Sequence, residues 1–172
     1  DGATPLLNAA YHGHNDLATL LLDRGVSVDA VDNNGATPLY FAAQKGHNDT
    51  AQILLAHGAA VDAADNTGAT PLLMAVHNGH NDLATLLLDR RASVDVAKNT
   101  GATPLFVAAQ EGHNDLAALL LDRGASVDAA NNDGATPLFM AAYHGHNDLA
   151  TLLLDRGASV DAANNDGATP LF

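Results

Sequence analysis

Residues 1–33 read DGATPLLNAAYHGHNDLATLLLDRGVSVDAVDN, and the chain then repeats that stretch with small changes to its end. Gly-Ala-Thr-Pro-Leu starts at Gly2, Gly35, Gly68, Gly101, Gly134 and Gly167, each 33 residues after the last. Gly-His-Asn-Asp starts at Gly13, Gly46, Gly79, Gly112 and Gly145, and Val-Asp at Val28, Val61, Val94, Val127 and Val160. A fixed period of this length is the mark of stacked repeats. Full periods occupy 1–33, 34–66, 67–99, 100–132 and 133–165, and residues 166–172 open another. No insertion breaks the register, so the pattern predicts one domain over 1–172 without a linker.

Within a period, each stretch has a physical reading. Thr4 has the hydroxyl to cap a helix, and Pro5 suits the first helical position, where no N–H partner is needed. Leu6, Ala9 and Ala10 follow at helical spacing, and Gly13 is a natural left-handed stop. This predicts a short helix over about 5–12. A second helix begins near Asn15, with Asp16 in its first turn and Arg24 in its last, each matched to the helix dipole. Leu17, Leu20 and Leu21 give it an apolar stripe. Beyond Gly25, the apolar residues Val26, Val28 and Ala30 alternate with Ser27 and Asp29 as extended chain. Asn34-Gly35 and Asp133-Gly134 suit tight hairpin turns. Such a unit cannot bury both faces alone and must stack on its neighbours. The Ala9-Ala10 pair lets first helices approach closely, while the Leu stripes spread the second helices. The predicted class is an all-α repeat solenoid, a curved array of helix-turn-helix-hairpin units with short helices and hairpins on the concave side.

Composition narrows the function. An apolar fraction of 47% belongs to folded protein. No apolar run of about 18 residues is present, so no membrane span or membrane partner is expected. No secretory leader is visible, and cysteine is absent, which excludes thiol chemistry and favours the cytoplasm. Asp and Glu number 20 against 7 Lys and Arg, a net charge of −13 that would repel phosphate backbones and argues against nucleic acid. The same charge serves solubility.

Catalytic and metal chemistry find little support. His14, His47, His80, His113 and His146 occupy one repeat position. Stacked helices lie about 8–10 Å apart, whereas zinc ligands lie about 2 Å from the ion, so the column reads as structural. His12-Gly13-His14 and His144-Gly145-His146 lack a third ligand, and no metal or cofactor is expected. The serines, Ser27, Ser93, Ser126 and Ser159, share one repeat position without a base and orienter. A P-loop is absent. No enzymatic activity is expected.

A period of 33 with Thr-Pro-Leu, Ala-Ala, Gly-His, Leu-Leu-Leu, Gly-Ala-x-Val and a hairpin resembles the ankyrin repeat over essentially the whole chain. The resemblance implies a scaffold that binds another protein through a concave groove and hairpin tips. Departures from the family pattern carry expectations of their own. The family's His after Thr-Pro-Leu is replaced by Leu7, Tyr40, Leu73, Phe106, Phe139 and Phe172, so apolar packing is expected to replace its polar bracing. The usual Asn after Val is Asp29, Asp62, Asp95, Asp128 and Asp161. The usual Gly after the second helix is Arg91 in the third repeat, where a left-handed backbone would cost about 1 kcal/mol. The family's polar end caps are missing, which points to an excerpt of a longer array, a designed array, or open ends such as Leu6 and Phe172 that meet something.

Variation between repeats marks the expected binding face. On the first helix it falls at spacings 0, +3 and +4, one helical face that lines the family's groove. The residues are Asn8, Tyr11 and His12; Phe41, Gln44 and Lys45; Met74, His77 and Asn78; Val107, Gln110 and Glu111; and Met140, Tyr143 and His144. The hairpin tips add Asn33, Asn34, Asn66, Thr67, Asn99, Thr100, Asn132, Asp133, Asn165 and Asp166. Aromatic, Met and amide groups of this kind suit a protein partner. The alternative is a designed or structural array without a specific partner that self-associates head to tail.

Overall fold

In the computed structural model, which describes residues 2–170, ten α-helices follow in pairs. They are α1 (Pro5–His12), α2 (Asn15–Asp23), α3 (Pro38–Lys45), α4 (Asn48–Ala56), α5 (Pro71–His77), α6 (Asn81–Asp89), α7 (Pro104–Glu111), α8 (Asn114–Asp122), α9 (Pro137–His144) and α10 (Asn147–Asp155). Among the described residues there is no strand, in keeping with an all-α repeat solenoid. The chain forms two compact units, Asp1–Ser93 and Val94–Phe172. In the first, α1, α3 and α5 pack in a row and α2, α4 and α6 in another. In the second, α7 packs on α9 and α8 on α10, each pair closed by its own first and second helix.

Local chemistry sets the helix bounds. Thr4 Oγ1 accepts the Leu7 N–H at 3.3 Å, and Thr37, Thr70, Thr103 and Thr136 do the same at their helices, each followed by Pro at the first position. Gly13, Gly46, Gly112 and Gly145 end four of these helices in left-handed conformation. The second helices have no side-chain cap, but Asp16, Asp49, Asp82, Asp115 and Asp148 place negative charge in their first turns.

The arm after each second helix differs from the extended hairpin predicted. The chain turns at Val28-Asp29 and again at Asn33-Asn34, where the Gly35 N–H donates to the Asp32 carbonyl at 3.1 Å. Only Gly35 in this turn has a positive φ, 77°, so the Asn-Gly pair does not form a primed hairpin turn. The cause is Asp32. Its Oδ1 accepts the N–H groups of Asn34 at 2.8 Å and Ala36 at 2.9 Å, folding the backbone around the carboxylate.

Leu6, Leu39 and Leu72 from first helices and Leu54, Leu83 and Leu87 from second helices are fully buried, and so are the Ala9-Ala10 and Ala42-Ala43 pairs. Leu6 is therefore not the exposed apolar end that the sequence suggested, since α1 packs against both α2 and α3 and the side chain is fully buried; Phe172 lies outside the described residues. Apolar packing does take the place of the family's His. Leu7, Leu73 and Phe106 are buried, and Tyr40 and Phe139 are half-buried. Burial pushes the Tyr40 phenol up to about 12, and the neighbouring carboxylates of Asp65 and Asp32 add to the shift.

Polar bracing persists nonetheless, supplied by other residues. His47 Nε2 meets the Tyr11 carbonyl at 3.1 Å, His80 that of Gln44 at 3.2 Å, and His146 that of Gln110 at 3.2 Å. The column of five histidines thus includes three that tie one repeat to the previous one. The Asp column does likewise. Asp62 accepts the Ser93 N–H at 3.0 Å and its hydroxyl at 2.6 Å, and Asp95 holds Ser126 in the same way. Asp29 accepts the Ala60 N–H and Asp128 the Ser159 N–H. A carboxylate has two acceptor oxygens for these donors, where Asn has one.

Arg91 is the one described non-glycine residue with positive φ, 67°. Its equivalents Gly25, Gly58, Gly124 and Gly157 have φ from 81° to 89°, and a Cβ placed on any of them meets nothing within 4 Å. The penalty at Arg91 is then conformational rather than steric. Arg91→Gly is expected to raise stability by about 1 kcal/mol, read as a higher urea midpoint at constant m-value. A midpoint that falls would mean that the Arg91 side chain contributes more than its backbone costs.

Candidate functional site

The variable face of the first helices divides by burial. In the first unit Tyr11 is exposed and Phe41 half-buried, their rings edge to face with centroids 5.8 Å apart. Lys45 Nζ sits 4.4 Å from the Tyr11 ring centroid. Asn8, His12, His77 and Asn78 are exposed and Gln44 is half-buried. In the second unit Tyr143, His144 and Glu111 are exposed, and Met140 and Gln110 are half-buried. Met74 and Val107 depart from the expected exposed face, since both are buried. The same repeat position holds Phe41 and Met140, which are half-buried, and the polar Asn8, which is exposed.

The hairpin tips form two columns with different duties. The Asn66 N–H donates to the Asn34 carbonyl at 2.8 Å, and its side-chain amide to the Asn33 carbonyl at 3.3 Å. Asn132 bonds in the same way to Thr100 and Asn99, and Asn165 to Asp133 and Asn132. Asn66, Asn132 and Asn165 thus hold successive hairpins in register. The next position along, Asn34, Thr67, Thr100, Asp133 and Asp166, is exposed and varied. Thr67 is held locally, its hydroxyl on Asp65 Oδ1 at 2.6 Å.

A cavity of about 500 Å³ lies in the second unit, where this face and these tips meet. The helices α7 and α9 supply Phe106, Gln110, Phe139, Met140 and Tyr143. The hairpins supply Lys98, Thr100, Asn131, Asp133, Asn164 and Asp166, with Ala102 and Ala135 beside them. Tyr143 stacks on Phe139 with centroids 6.4 Å apart and 10° between ring planes. The cavity gathers Thr100, Gln110, Asp133, Met140 and Tyr143 from the expected site, together with Asp166. Val107, Glu111, His144, Asn99 and Asn132 are not in its lining.

Sequence reasoning missed Lys98, Phe106 and Phe139. Their place after Thr-Pro-Leu assigns the two Phe to bracing alone. Lys98 stood in plain view as the odd member of the column Asp32, Asp65, Lys98, Asn131, Asn164. The other four fold their hairpins around a side-chain oxygen, as Asn131 Oδ1 does with the N–H groups of Asp133 and Ala135. Lysine has no acceptor, so it cannot do this, and Lys98 lines the cavity.

Other chemical groups are held structurally. Asn15 Oδ1 accepts the Thr50 hydroxyl at 2.6 Å. At the next repeat Leu83 replaces that Thr, and Asn48 Oδ1 is buried without a hydrogen-bond partner among the described residues. The rings of His12 and His14 stack at 5.6 Å and those of His144 and His146 at 5.9 Å. Among the described residues no three His, Asp or Glu side chains converge as metal ligands. The Ser93 and Ser126 hydroxyls are bound to carboxylates, without an imidazole base. No described helix is long and apolar enough to cross a membrane.

Comparison with known families agrees with this architecture. A family model described as ankyrin repeats (3 copies) matches residues 1–65 and 57–131, and one described as ankyrin repeats (many copies) matches residues 120–171. No curated protein matches the chain.

Proposed function

The chain belongs to the ankyrin-repeat family, and from that premise we propose that it is a non-catalytic module that binds a partner protein through the varied face of its first helices and the adjoining hairpin tips. The observation that carries this reading is the cavity of about 500 Å³ in the second unit, most of whose lining stands at positions that change between otherwise near-identical repeats. Its Tyr, Phe and Met side chains are the kinds enriched at protein interfaces, and its volume falls in the range of sites that hold a ligand's side chains. On this reading Tyr11, Phe41, Gln44 and Lys45 form the corresponding contact area of the first unit. The absence of cysteine suits work in the cytoplasm.

A second reading is a structural array that stacks end to end. Leu17 in α2 is 42% exposed, whereas its repeat equivalents Leu83, Leu116 and Leu149 are buried, so one face that is covered elsewhere is open at α2. One experiment separates the two. Peptides selected by display against the immobilised chain are expected to lose about tenfold in affinity on Tyr11→Ala or Tyr143→Ala, and to ignore Gln52→Ala and Thr151→Ala on the second helices. Loss at the second helices alone would remove the face assignment. Concentration-dependent association in sedimentation velocity, abolished by Leu17→Thr, would select the second reading.

A further inference from the structure

Two tyrosines stand at the same repeat position, Tyr11 in α1 and Tyr143 in α9, and the molecule treats them differently. Tyr11 carries a cation, Lys45 Nζ 4.4 Å from its ring centroid, and is 38% exposed. Tyr143 is backed by Phe139 and is 75% exposed. The first unit thus displays, within one chain, what this position accepts: a basic side chain laid over the ring, drawn by the negative face of the π-system.

The surroundings of Tyr143 add carboxylates to that ring. Asp133 and Asp166 line the same cavity, and Lys98 is its one base. The other bases of the second unit, Arg123 and Arg156, stand at the ends of second helices, with Arg156 paired to Asp122 at 2.9 Å. Phe139 and Met140 give the cavity an apolar wall. Two carboxylates, one ammonium and an open aromatic face in a chain of net charge −13 are complementary to a cation rather than an anion.

We propose that the cavity of the second unit takes an arginine side chain from a partner's peptide segment, its guanidinium over the ring of Tyr143 and directed at Asp133 and Asp166, with an apolar neighbour of that arginine against Phe139 and Met140. Arginine fits better than lysine, because a planar guanidinium stacks on an aromatic ring and still presents a fork of donors to carboxylates. The inference rests on the protein-binding reading above and adds the chemistry of the partner. Lys98 sets the competing outcome, an acidic segment paired to its ammonium.

Three pools of labelled nonapeptides test it, random in sequence except for a central Arg, Leu or Glu, titrated against the full chain by fluorescence anisotropy. The Arg pool is expected to bind about tenfold more tightly than the Leu pool. Tyr143→Ala and the pair Asp133→Asn with Asp166→Asn are each expected to erase that preference, while Tyr143→Phe keeps it because the ring face remains. Raising salt from about 50 to about 500 mM should narrow the gap between the pools. Circular dichroism of each variant checks that the exposed substitutions leave the helices intact. Equal binding of the Arg and Leu pools overturns the inference and leaves the protein-binding reading standing. Tightest binding of the Glu pool, lost on Lys98→Ala, overturns it in favour of an acidic partner. Binding of none of the pools overturns it as well, and the display-selected partners then decide the protein-binding reading on their own.

Discussion

Gly46→Ala is expected to destabilise the fold by about 3 kcal/mol, whereas Gly58→Ala costs about 1 kcal/mol. Both glycines follow a helix in left-handed conformation, Gly46 with φ of 74° and Gly58 with φ of 85°. The backbone penalty for a side chain is therefore nearly the same. The difference is what a Cβ meets. At Gly58 nothing lies within 4 Å. At Gly46 the Cβ would stand 2.8 Å from Cε1 and Nδ1 of His80, closer than real contacts allow. The His80 ring cannot swing aside freely, because its Nε2 is bonded to the Gln44 carbonyl at 3.2 Å. Displacing it adds about 1 kcal/mol of overpacking and about 1 kcal/mol for the lost hydrogen bond.

Urea titrations of Gly46→Ala, Gly58→Ala, His80→Ala and the double variant Gly46→Ala with His80→Ala check this. The double variant should cost clearly less than the sum of its singles, because the two changes act through one contact. Equal costs at Gly46 and Gly58, with no coupling to His80, would show that the histidine ring does not fix the glycine. The Gly-His motif that recurs through the sequence would then need a reason other than this packing of one repeat's helix stop against the next repeat's imidazole.

That motif also marks where sequence reading ran out. Helix bounds were legible because their causes are local. Thr-Pro starts a helix and Gly stops it within a few residues, and the predicted first helix coincides with α1. The histidine column could be called structural from helix spacing, but its bonds could not be seen, since His47 meets a carbonyl 36 residues earlier. The sequence shows Asp where the family has Asn but gives no partner for it. Its reason lies across a repeat boundary, where Asp29, Asp62, Asp95 and Asp128 collect donors 31 residues on. The varied face of the first helices was legible in outline, as residues at one helical spacing that are mostly exposed or half-buried. Burial of Met74 and Val107 was not, because spacing fixes direction around a helix but not how deep a neighbour covers it. Lys98 was missed for the opposite reason. The signal was present as a column broken at one repeat, but its meaning depends on knowing that the other members bond their own turns.

Leu83→Ala is expected to cost about 3 kcal/mol, and Leu17→Ala less than about 1 kcal/mol. These two residues occupy the same position in helices of identical sequence, since α2 and α6 both read NDLATLLLD. Helix propensity and capping therefore cancel between the two substitutions. What differs is the neighbour. Leu83 is fully buried, and Leu17 is 42% exposed on the open side of α2. In a stacked array each repeat buries its second helix against the one before it, so the excess cost at Leu83 measures that burial directly. Denaturant unfolding of the two variants gives the numbers. Equal losses would mean that the helices are stabilised within their own repeats rather than by stacking. The same pair bears on function. A second copy or another occupant that stacks on α2 would cover Leu17 as Leu83 is covered. The cost of Leu17→Ala would then climb with protein concentration towards that of Leu83→Ala, and at every concentration the chain remains a monomer it would stay small.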